Sequence, residues 1–180
     1  MIIFDTETTG LLNASIVDLV KQPKIIEFAA IKLDDKNLQE VERIEFLVQP
    51  NFSLSPVITK ITGLTDSKLK DAKTFEHHYP ALVDFFLGER TLIAHNIAFD
   101  MGMLKNDLAR IGRATQFPYP PNQVCTVNKT LQIKGYRLKL GALHSHLFGE
   151  DFPEAHRAMA DVEALTRCVK KLILTEQLKF

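Results

Sequence analysis

The first ten residues of the chain, MIIFDTETTG (residues 1–10), decide the fold. Apolar residues run directly into two carboxylates, Asp5 and Glu7, which are separated by Thr6. Successive side chains of a strand point to opposite faces, so Asp5 and Glu7 share a face at the carboxyl end of a buried strand. Two like charges in a buried place are unfavourable unless a cation neutralises them. The stretch therefore predicts a strand that supplies half of a divalent metal site.

The composition is typical of one globular domain. The chain has 180 residues, 46% of them hydrophobic, which is enough to bury roughly 70% of the unfolded surface. Its formal charge is zero, from 22 basic and 22 acidic residues, which argues against a protein that holds nucleic acid by bulk electrostatics. If four acids bind metal, the remainder of the chain is basic, although an ordinary near-neutral protein is equally compatible with these numbers.

The sequence also predicts a cytoplasmic location. Cys125 and Cys168 are too few for a disulfide framework or a zinc site, which favours a reducing compartment. No basic segment precedes the first strand as in a signal peptide, and no apolar run approaches the roughly 18 residues of a membrane span. We therefore expect no membrane partner.

The rest of the chain predicts an α/β fold with a mixed sheet. Apolar, β-branched runs at 25–33 and 41–48 flank a turn sequence at 34–37 and predict a hairpin joined to the first strand. Residues 8–24 are interpreted as a loop with one helical turn, and the segment from Pro50 to Pro56 breaks the strand pattern before a Gly-containing connection at 59–66, so that residues 50–66 are interpreted as connections. Hydrophobic periodicity predicts the other elements, which are helices at 74–87, 97–111, 138–148 and 158–174 and strands at 91–95 and 124–127.

Two of these helices carry an aspartate where an apolar side chain belongs. Asp100 stands four residues before Leu104, and Asp161 stands four residues before Leu165, so each lies on an apolar stripe. The ordinary explanation for one such residue is a paired or capping aspartate near a helix start. Together with the two acids of the first strand, however, they make an oxygen-rich set that suits Mg²⁺ or Mn²⁺.

Four converging carboxylates suit a pair of metal ions and the hydrolysis of a phosphodiester. That reaction needs a group to take the proton of the attacking water, and His156 lies five residues before Asp161. An imidazole titrates near neutral pH, which suits a general base, whereas a surface histidine is the ordinary alternative. The pairs His77-His78 and His144/His146 are alternative zinc ligands, but neighbouring histidines on a helix diverge and no third ligand joins them.

Five segments together resemble the DEDDh 3′→5′ exonucleases, most closely the epsilon-type proofreading domain of bacterial DNA polymerase III. They are FDTETTGL (4–11), KIIE (24–27), ITGLTD (61–66), IAHNIAFD (93–100) and HRAMAD (156–161). The segments run in order over nearly the whole chain, and their combination is specific. The resemblance implies a single exonuclease domain over residues 1–180 with a ribonuclease H-like fold, in which helices flank a mixed five-stranded sheet.

The resemblance also implies roles for individual residues. Two Mg²⁺ or Mn²⁺ ions are held by four acids, and His156 deprotonates the attacking water. The implied metal ligands are Asp5, Glu7, Asp100 and Asp161. The residues implied to bind substrate are Thr8, Thr9, Gly10, Leu11, Thr62, His95 and Phe99. Leu11 is expected to wedge against the terminal base, with His95 and Phe99 beside the sugar and the penultimate base; core packing is the ordinary alternative for Phe99.

Two features depart from the family pattern. Thr62 stands where many epsilon subunits have a histidine near the scissile phosphate, which leaves the role of Thr62 open. Epsilon proteins usually extend into a tail that binds the polymerase, whereas this chain ends shortly after its last predicted helix. The final residues, QLKF (177–180), weakly resemble a sliding-clamp peptide, and a frayed helix end is their ordinary interpretation. A polymerase or a clamp is therefore a candidate partner.

The expected function is metal-dependent 3′→5′ hydrolysis of single-stranded or frayed DNA to nucleoside monophosphates, in proofreading or repair. A haloacid-dehalogenase-type phosphatase, with Asp5 as nucleophile, would leave the His-x4-Asp pattern without a role. A non-enzymatic nucleic-acid-binding module would have no physical reason to keep carboxylates on apolar stripes. An exoribonuclease that trims RNA ends or short oligomers remains the alternative within the fold, because the choice depends on contacts to one 2′-hydroxyl.

Overall fold

The computed structural model describes residues 1–13, 15–152 and 156–179. The strands are β1 (Ile2–Thr8), β2 (Ile25–Leu33), β3 (Glu40–Leu47), β4 (Thr91–Ala94) and β5 (Asn122–Cys125). The helices are α1 (Pro56–Thr62), α2 (Asp66–Leu69), α3 (Phe75–Phe86), α4 (Ile97–Arg110), α5 (Thr126–Lys134), α6 (Leu140–Phe148) and α7 (Ala158–Leu174). A single 3₁₀ turn at Leu19–Lys21 lies in the long connection between β1 and β2.

The described strands form one mixed sheet in the order β3-β2-β1-β4-β5. β1 is central, antiparallel to β2 and parallel to β4, and β5 is parallel to β4. β1 and β4 therefore end at the same edge of the sheet, where β2 begins and β3 ends. This edge brings the ends of four strands together with the chain segments that follow them.

Both faces of β1 are buried, which explains its continuous apolar sequence. Ile2 and Phe4 pack into a core that includes Leu104 of α4, and Ile3 packs into a second core that includes Leu165 of α7. Because side chains alternate along a strand, Asp5 and Glu7 continue the face that α7 covers. The charged end of the strand is thus held in place by apolar packing on either side.

The periodicity of the sequence predicts the long helices closely. α7 has the predicted bounds, and α3, α4 and α6 differ from their predicted bounds by one or two residues. The predicted mixed sheet of five strands is confirmed. Long helices carry three or more turns of pattern, which is why their prediction succeeds.

Three short helices were not predicted, so the interpretation of residues 50–66 as connections is wrong in part. α1 begins at Pro56, with the Ser55 hydroxyl accepting a hydrogen bond from the backbone N–H of Ile58, and ends at Gly63 with φ +68°. These are ordinary start and stop signals, but one or two turns give no measurable period. α5 begins within the strand predicted at 124–127. The β-branched residues in the first turn of α5 explain why the sequence pattern indicated a strand there.

The chain after α7 folds back onto the domain. The backbone N–H groups of Gln177 and Leu178 both donate to the Leu172 carbonyl, at 2.8 and 3.0 Å. Leu178 is 1% exposed, so this segment is neither a frayed helix end nor an exposed clamp peptide in its described part; Phe180 lies outside the described residues. Within the described ranges, none of the helices has the length and apolar character that crossing a bilayer requires.

Candidate active site

The four acids predicted from the sequence meet around the carboxyl end of β1. Asp5 and Glu7 end the strand and are half-buried. Asp100 comes from the first turn of α4 and is 3% exposed, and Asp161 comes from the first turn of α7 and is 9% exposed. The prediction that both aspartates lie on buried helix faces is confirmed, and the site draws on three elements far apart in sequence.

Asp100 is held against β1 by Thr6. One carboxylate oxygen, Oδ1, accepts hydrogen bonds from the backbone N–H of Thr6 at 3.1 Å and from its hydroxyl at 2.8 Å. Thr6 points away from Asp5 and Glu7, so it is free to make this contact on the other face of the strand. The bonds fix the start of α4 to the strand that carries the other two acids.

His156 lies directly beside the acids of β1 and α7. A carboxylate oxygen of Glu7, a ring nitrogen of His156 and a carboxylate oxygen of Asp161 lie within 4.8 Å of one another. The His156 backbone has the left-handed φ of +71°, which costs about 1 kcal/mol or more for a residue other than Gly, and its N–H donates to Asp161 Oδ2 at 3.0 Å. The exposed imidazole is thereby placed next to the carboxylates that are predicted to bind metal.

Crowding and burial raise the pKa of every acid in the cluster. Burial raises the pKa of Asp5 well above its ordinary value, and the Asp100 and Asp161 carboxylates raise it further. Burial, followed by Asp161, raises the pKa of Glu7 from 4.5 to about 8. For Asp100, burial outweighs the hydrogen bonds from Thr6 and raises the pKa to about 7. Each shift has the same meaning, which is that the folded chain resists carrying all of these negative charges together.

The donor set fits a divalent cation. Carboxylate oxygens in excess, with at most one imidazole nitrogen, are the ligands that Mg²⁺ or Mn²⁺ prefers, and a cation would remove the cost of ionising buried acids. Within the described part of the chain, the one group of three or more ligating side chains close enough to share a cation is Glu7, His156 and Asp161, without Asp5 or Asp100. The His77-His78 and His144/His146 pairs therefore have no further ligands among the described residues. The structure thus favours the acid cluster, rather than either histidine pair, as the place where a metal ion binds.

A cavity of about 400 Å³ opens beside this cluster. Its lining combines two of the four acids and His156 with the start of α6 and with Phe152, which precedes α7. The lining residues are Asp5, His95, Lys139, Leu140, Gly141, Ala142, Phe152, His156 and Asp161. A cavity of this volume, lined by two carboxylates and by apolar side chains, is large enough for a small ligand.

His95 forms part of the cavity wall with both ring nitrogens already engaged. Nε2 lies 3.0 Å from the Leu138 carbonyl and must donate to it, so in the neutral ring Nδ1 accepts from the Thr126 hydroxyl at 2.9 Å. Burial lowers the pKa of His95 to about 4, which keeps the ring neutral. The expected contact of His95 with a sugar therefore stays a prediction, and in this structure the ring ties β4 to α5 and to the segment before α6.

The turn expected to hold the substrate is anchored at its base and open at its tip. The Thr8 hydroxyl donates to the Gly10 carbonyl at 2.8 Å, and the Thr9 hydroxyl accepts from the backbone N–H of Lys24 at 2.9 Å. Leu11 at the tip is 83% exposed. The two threonine hydroxyls stabilise the turn itself, and Leu11 is the side chain that it presents.

Two other residues expected at the substrate are placed within the fold. Thr62 is 3% exposed; its hydroxyl donates to the Ile58 carbonyl at 2.9 Å and accepts from the backbone N–H of Leu64 at 3.1 Å. Phe99 is partly buried and packs against the core under α4. Their roles in substrate binding stay predictions, and both have structural contacts that account for their positions.

Sequence reasoning missed the ion pair that anchors Arg157 directly before α7. Glu27, a fully buried residue of β2, accepts from the Arg157 guanidinium at 2.6 Å and from the backbone N–H of Ala158 at 3.0 Å. Arg157 directly follows His156, so the pair holds this part of the chain beside the site. The acid within the apolar run of β2 was a visible signal for a buried charge, but its partner lies 130 residues away.

We expect Arg157→Ala to lower the free energy of unfolding by about 3 kcal/mol, because it leaves the buried Glu27 carboxylate without its cation. Arg43→Ala is the matched control, since Arg43 also pairs with acids, Glu40 and Glu163, but its side chain is 46% exposed. That control should lose about 1 kcal/mol or less. Urea denaturation of the three proteins measures the difference, and equal losses in both variants would contradict the structural role of the Glu27 pair.

Comparison with known proteins places these features in a family. A family model described as exonuclease matches residues 2–169. The PolC-type DNA polymerase III of Caldanaerobacter subterraneus subsp. tengcongensis is 30% identical over 172 residues, and that of Clostridium perfringens is 30% identical over 175 residues. These matches cover 96% and 94% of this chain but 11% of each polymerase, so the chain spans about a tenth of the length of these relatives.

Solved structures share the fold. Exonuclease X in complex with 5′ overhanging duplex DNA aligns with a TM-score of 0.69 at 22% identity, covering 99% of this chain and 93% of that one. The nuclease domain of 3′hExo, described as a DEDDh family member bound to rAMP, aligns with a TM-score of 0.77 at 19% identity, covering 99% and 94%. The ribonuclease H-like fold is thus confirmed, and exonucleases of the DEDDh class generally use divalent metal ions. On the family match over residues 2–169, the chain belongs to the exonuclease family.

Proposed function

We propose that residues 1–180 form a single metal-dependent exonuclease domain that removes nucleotides from the 3′ end of single-stranded or frayed DNA. The observation that carries the proposal is the meeting of four acids from β1, α4 and α7 beside the exposed ring of His156. Structural acids are ordinarily paired with cations, whereas these acids mainly face one another. The arrangement supports hydrolysis of a phosphodiester that releases a nucleoside monophosphate.

The ligands of the proposed metal site are Asp5, Glu7, Asp100 and Asp161. Two Mg²⁺ or Mn²⁺ ions bound there would neutralise the acids and stabilise the charge that develops on the phosphate oxygens. His156 would accept the proton of the attacking water, because it is exposed and its ring lies beside Glu7 and Asp161. The Asp161 side chain has a second task, since it also holds the His156 backbone in position.

The shape of the site supports a chain end rather than an internal bond. The turn at 8–11 directly follows the strand that carries Asp5 and Glu7, and its Leu11 side chain is exposed and would be available to a substrate. The cavity of about 400 Å³ beside Asp5 and Asp161 would receive the terminal nucleotide. Contacts made by Leu11, Phe99 and the wall that includes His95 would be apolar or stacking contacts, which accept any base. A nuclease that removes successive nucleotides needs this tolerance.

The choice of DNA rests on the PolC-type relatives, whose name is that of a DNA polymerase. For the same reason we propose a DNA polymerase as a partner and a place in replication or repair. A sliding clamp is a weaker proposal, because Leu178 is buried. We propose a cytoplasmic location from the two free thiols, Cys125 and Cys168. An exoribonuclease is the second candidate, and it is supported by the rAMP bound to one structural neighbour.

Digestion of matched DNA and RNA tests the proposal. We expect 5′-labelled single-stranded DNA to shorten from its 3′ end in steps of one nucleotide with Mg²⁺ or Mn²⁺, and RNA of the same sequence to be cut more slowly. A chelator and Asp100→Asn should each abolish the reaction, because each removes the metal site. Faster digestion of RNA would overturn the DNA assignment, and activity in chelator would overturn the metal-dependent chemistry.

The His156→Asn variant tests the proposed base. Asparagine accepts the left-handed backbone of residue 156 but cannot take a proton at neutral pH, so kcat should fall by roughly 10²- to 10⁴-fold. The melting temperature should stay close to that of the native protein, because the side chain is exposed. His146→Asn is the matched control on an exposed histidine of α6 and should keep native kcat. A native kcat in His156→Asn would exclude His156 as the base.

A further inference from the structure

An exposed aromatic ring stands beside the proposed substrate turn, and the proposed mechanism does not use it. Phe52, in the segment that follows β3, is 52% exposed although it is one of the largest apolar side chains. The Lys24 ammonium lies 5.4 Å from the centre of the Phe52 ring and donates a hydrogen bond to the Pro50 carbonyl at 3.0 Å. The ring and the cation are thus held together at the surface.

This pair is joined directly to the turn at 8–11. The backbone N–H of Thr9 donates to the Lys24 carbonyl at 2.9 Å, and the Lys24 N–H donates to the Thr9 hydroxyl at the same distance. Thr8 is also paired with Ile25, the residue that follows Lys24. Phe52 therefore lies at the same edge of the sheet as the four acids, on the β2–β3 side of the turn.

A cavity of about 240 Å³ continues from the ring. We call it the Phe52 cleft; it lies between the segment after β3 and helix α2, and Phe52, Ser53 and Lys70 contribute to its wall. The acid that lines it, Asp66, already accepts a hydrogen bond from the backbone N–H of Leu54 at 2.8 Å. Lys70 lines the cleft and lies 3.9 Å from Asp71, while Lys24 lies outside the lining, over the Phe52 ring.

A second cavity of about 220 Å³ shares Gln49 and Asn51 with the cleft and extends it along α4. Its acids are Glu76 and Asp107, and its cations are Lys24 and Arg110. Asp107 is paired with Arg110 at 2.6 Å. The two cavities adjoin at Gln49 and Asn51, and the second is linked to the turn at 8–11 through the hydrogen bond between Lys24 and Thr9.

An exposed aromatic face beside an ammonium group is the combination that single-stranded nucleic acids use, since a base stacks on the ring and a phosphate lies near the cation. We propose that the Phe52 cleft binds nucleotides upstream of the 3′ end, with a base on Phe52 and the backbone near Lys24. The proposal rests on the proposed exonuclease function. It assigns the strand a direction, from the acids across the turn at 8–11 towards α2.

Kinetics on substrates of two lengths test the proposal. We expect Phe52→Ala to raise KM roughly tenfold for an octathymidylate and less than about twofold for a dithymidylate, because the loss of one stack matters only when the strand reaches the ring. Phe52→Trp should restore the native KM, since tryptophan keeps the aromatic face. Leu174→Ala is the control for loss of an exposed apolar side chain; Leu174 is 75% exposed at the far end of α7 and should leave both KM values unchanged.

Binding in chelator separates this proposal from the function on which it rests. Fluorescence anisotropy of a labelled octathymidylate, measured without metal ions, should show a Kd that rises in Phe52→Ala and recovers in Phe52→Trp. Native Kd and KM in Phe52→Ala, or equal increases for both lengths, would overturn the Phe52 cleft as a nucleotide site. A native protein that hydrolyses neither substrate would instead overturn the proposed function, whatever the binding result.

Discussion

Mutual repulsion among four carboxylates is the constraint on which the rest of this structure depends. The acids are brought together at the end of a strand that is buried on both faces, where water cannot screen them well. Burial is the largest cause of the raised pKa of Asp5, Glu7 and Asp100, with the neighbouring acids adding to it. A fold gains no stability from such a cluster, which is the reason for our proposal that the cluster binds a divalent cation.

The surrounding contacts hold the acids in place without neutralising them. Thr6 donates two hydrogen bonds to Asp100, the backbone of His156 donates one to Asp161, and Glu27 takes Arg157 as its own partner. These bonds fix α4, α7 and residues 156 and 157 against the central strands. Arg157 pairs with Glu27 and also lowers the pKa of Glu7, but the pKa of Glu7 still rises to about 8, so this cation does not offset the repulsion among the acids.

The acids of the site were predictable because they break a pattern. Asp100 and Asp161 occupy positions that helical periodicity assigns to the core, and the central strand runs into charge at Asp5 and Glu7. Short helices such as α1 have capping residues but are too short to show a hydrophobic period. The pairing of Glu27 with Arg157 depends on strand register and on the reversal of the chain, which the sequence pattern does not show. A one-dimensional pattern shows which residues are out of place, but it does not show which distant residue compensates them.

The same limit applies to the residues expected to contact substrate. The resemblance assigned His95 and Thr62 to the substrate, and the structure adds that their polar atoms bond to the chain itself. Phe52, by contrast, lies outside the segments that carry the resemblance. We propose it as a nucleotide-binding residue because its ring is exposed and lies next to the Lys24 ammonium. Contacts of this kind depend on tertiary placement that sequence spacing does not encode.

The most direct test of the central constraint is the melting temperature of the metal-free protein between pH 5 and pH 8, for the native chain and for Glu7→Gln. Folding raises the pKa of Glu7 from 4.5 to about 8, so the stability that the protonated carboxyl contributes below about pH 4.5 is lost as the pH rises towards 8. As the pH rises over this range, the native protein should therefore lose stability relative to Glu7→Gln. At pH 8, Mg²⁺ should raise the melting temperature of the native protein more than that of Glu7→Gln. Parallel pH profiles with no response to Mg²⁺ would contradict the account.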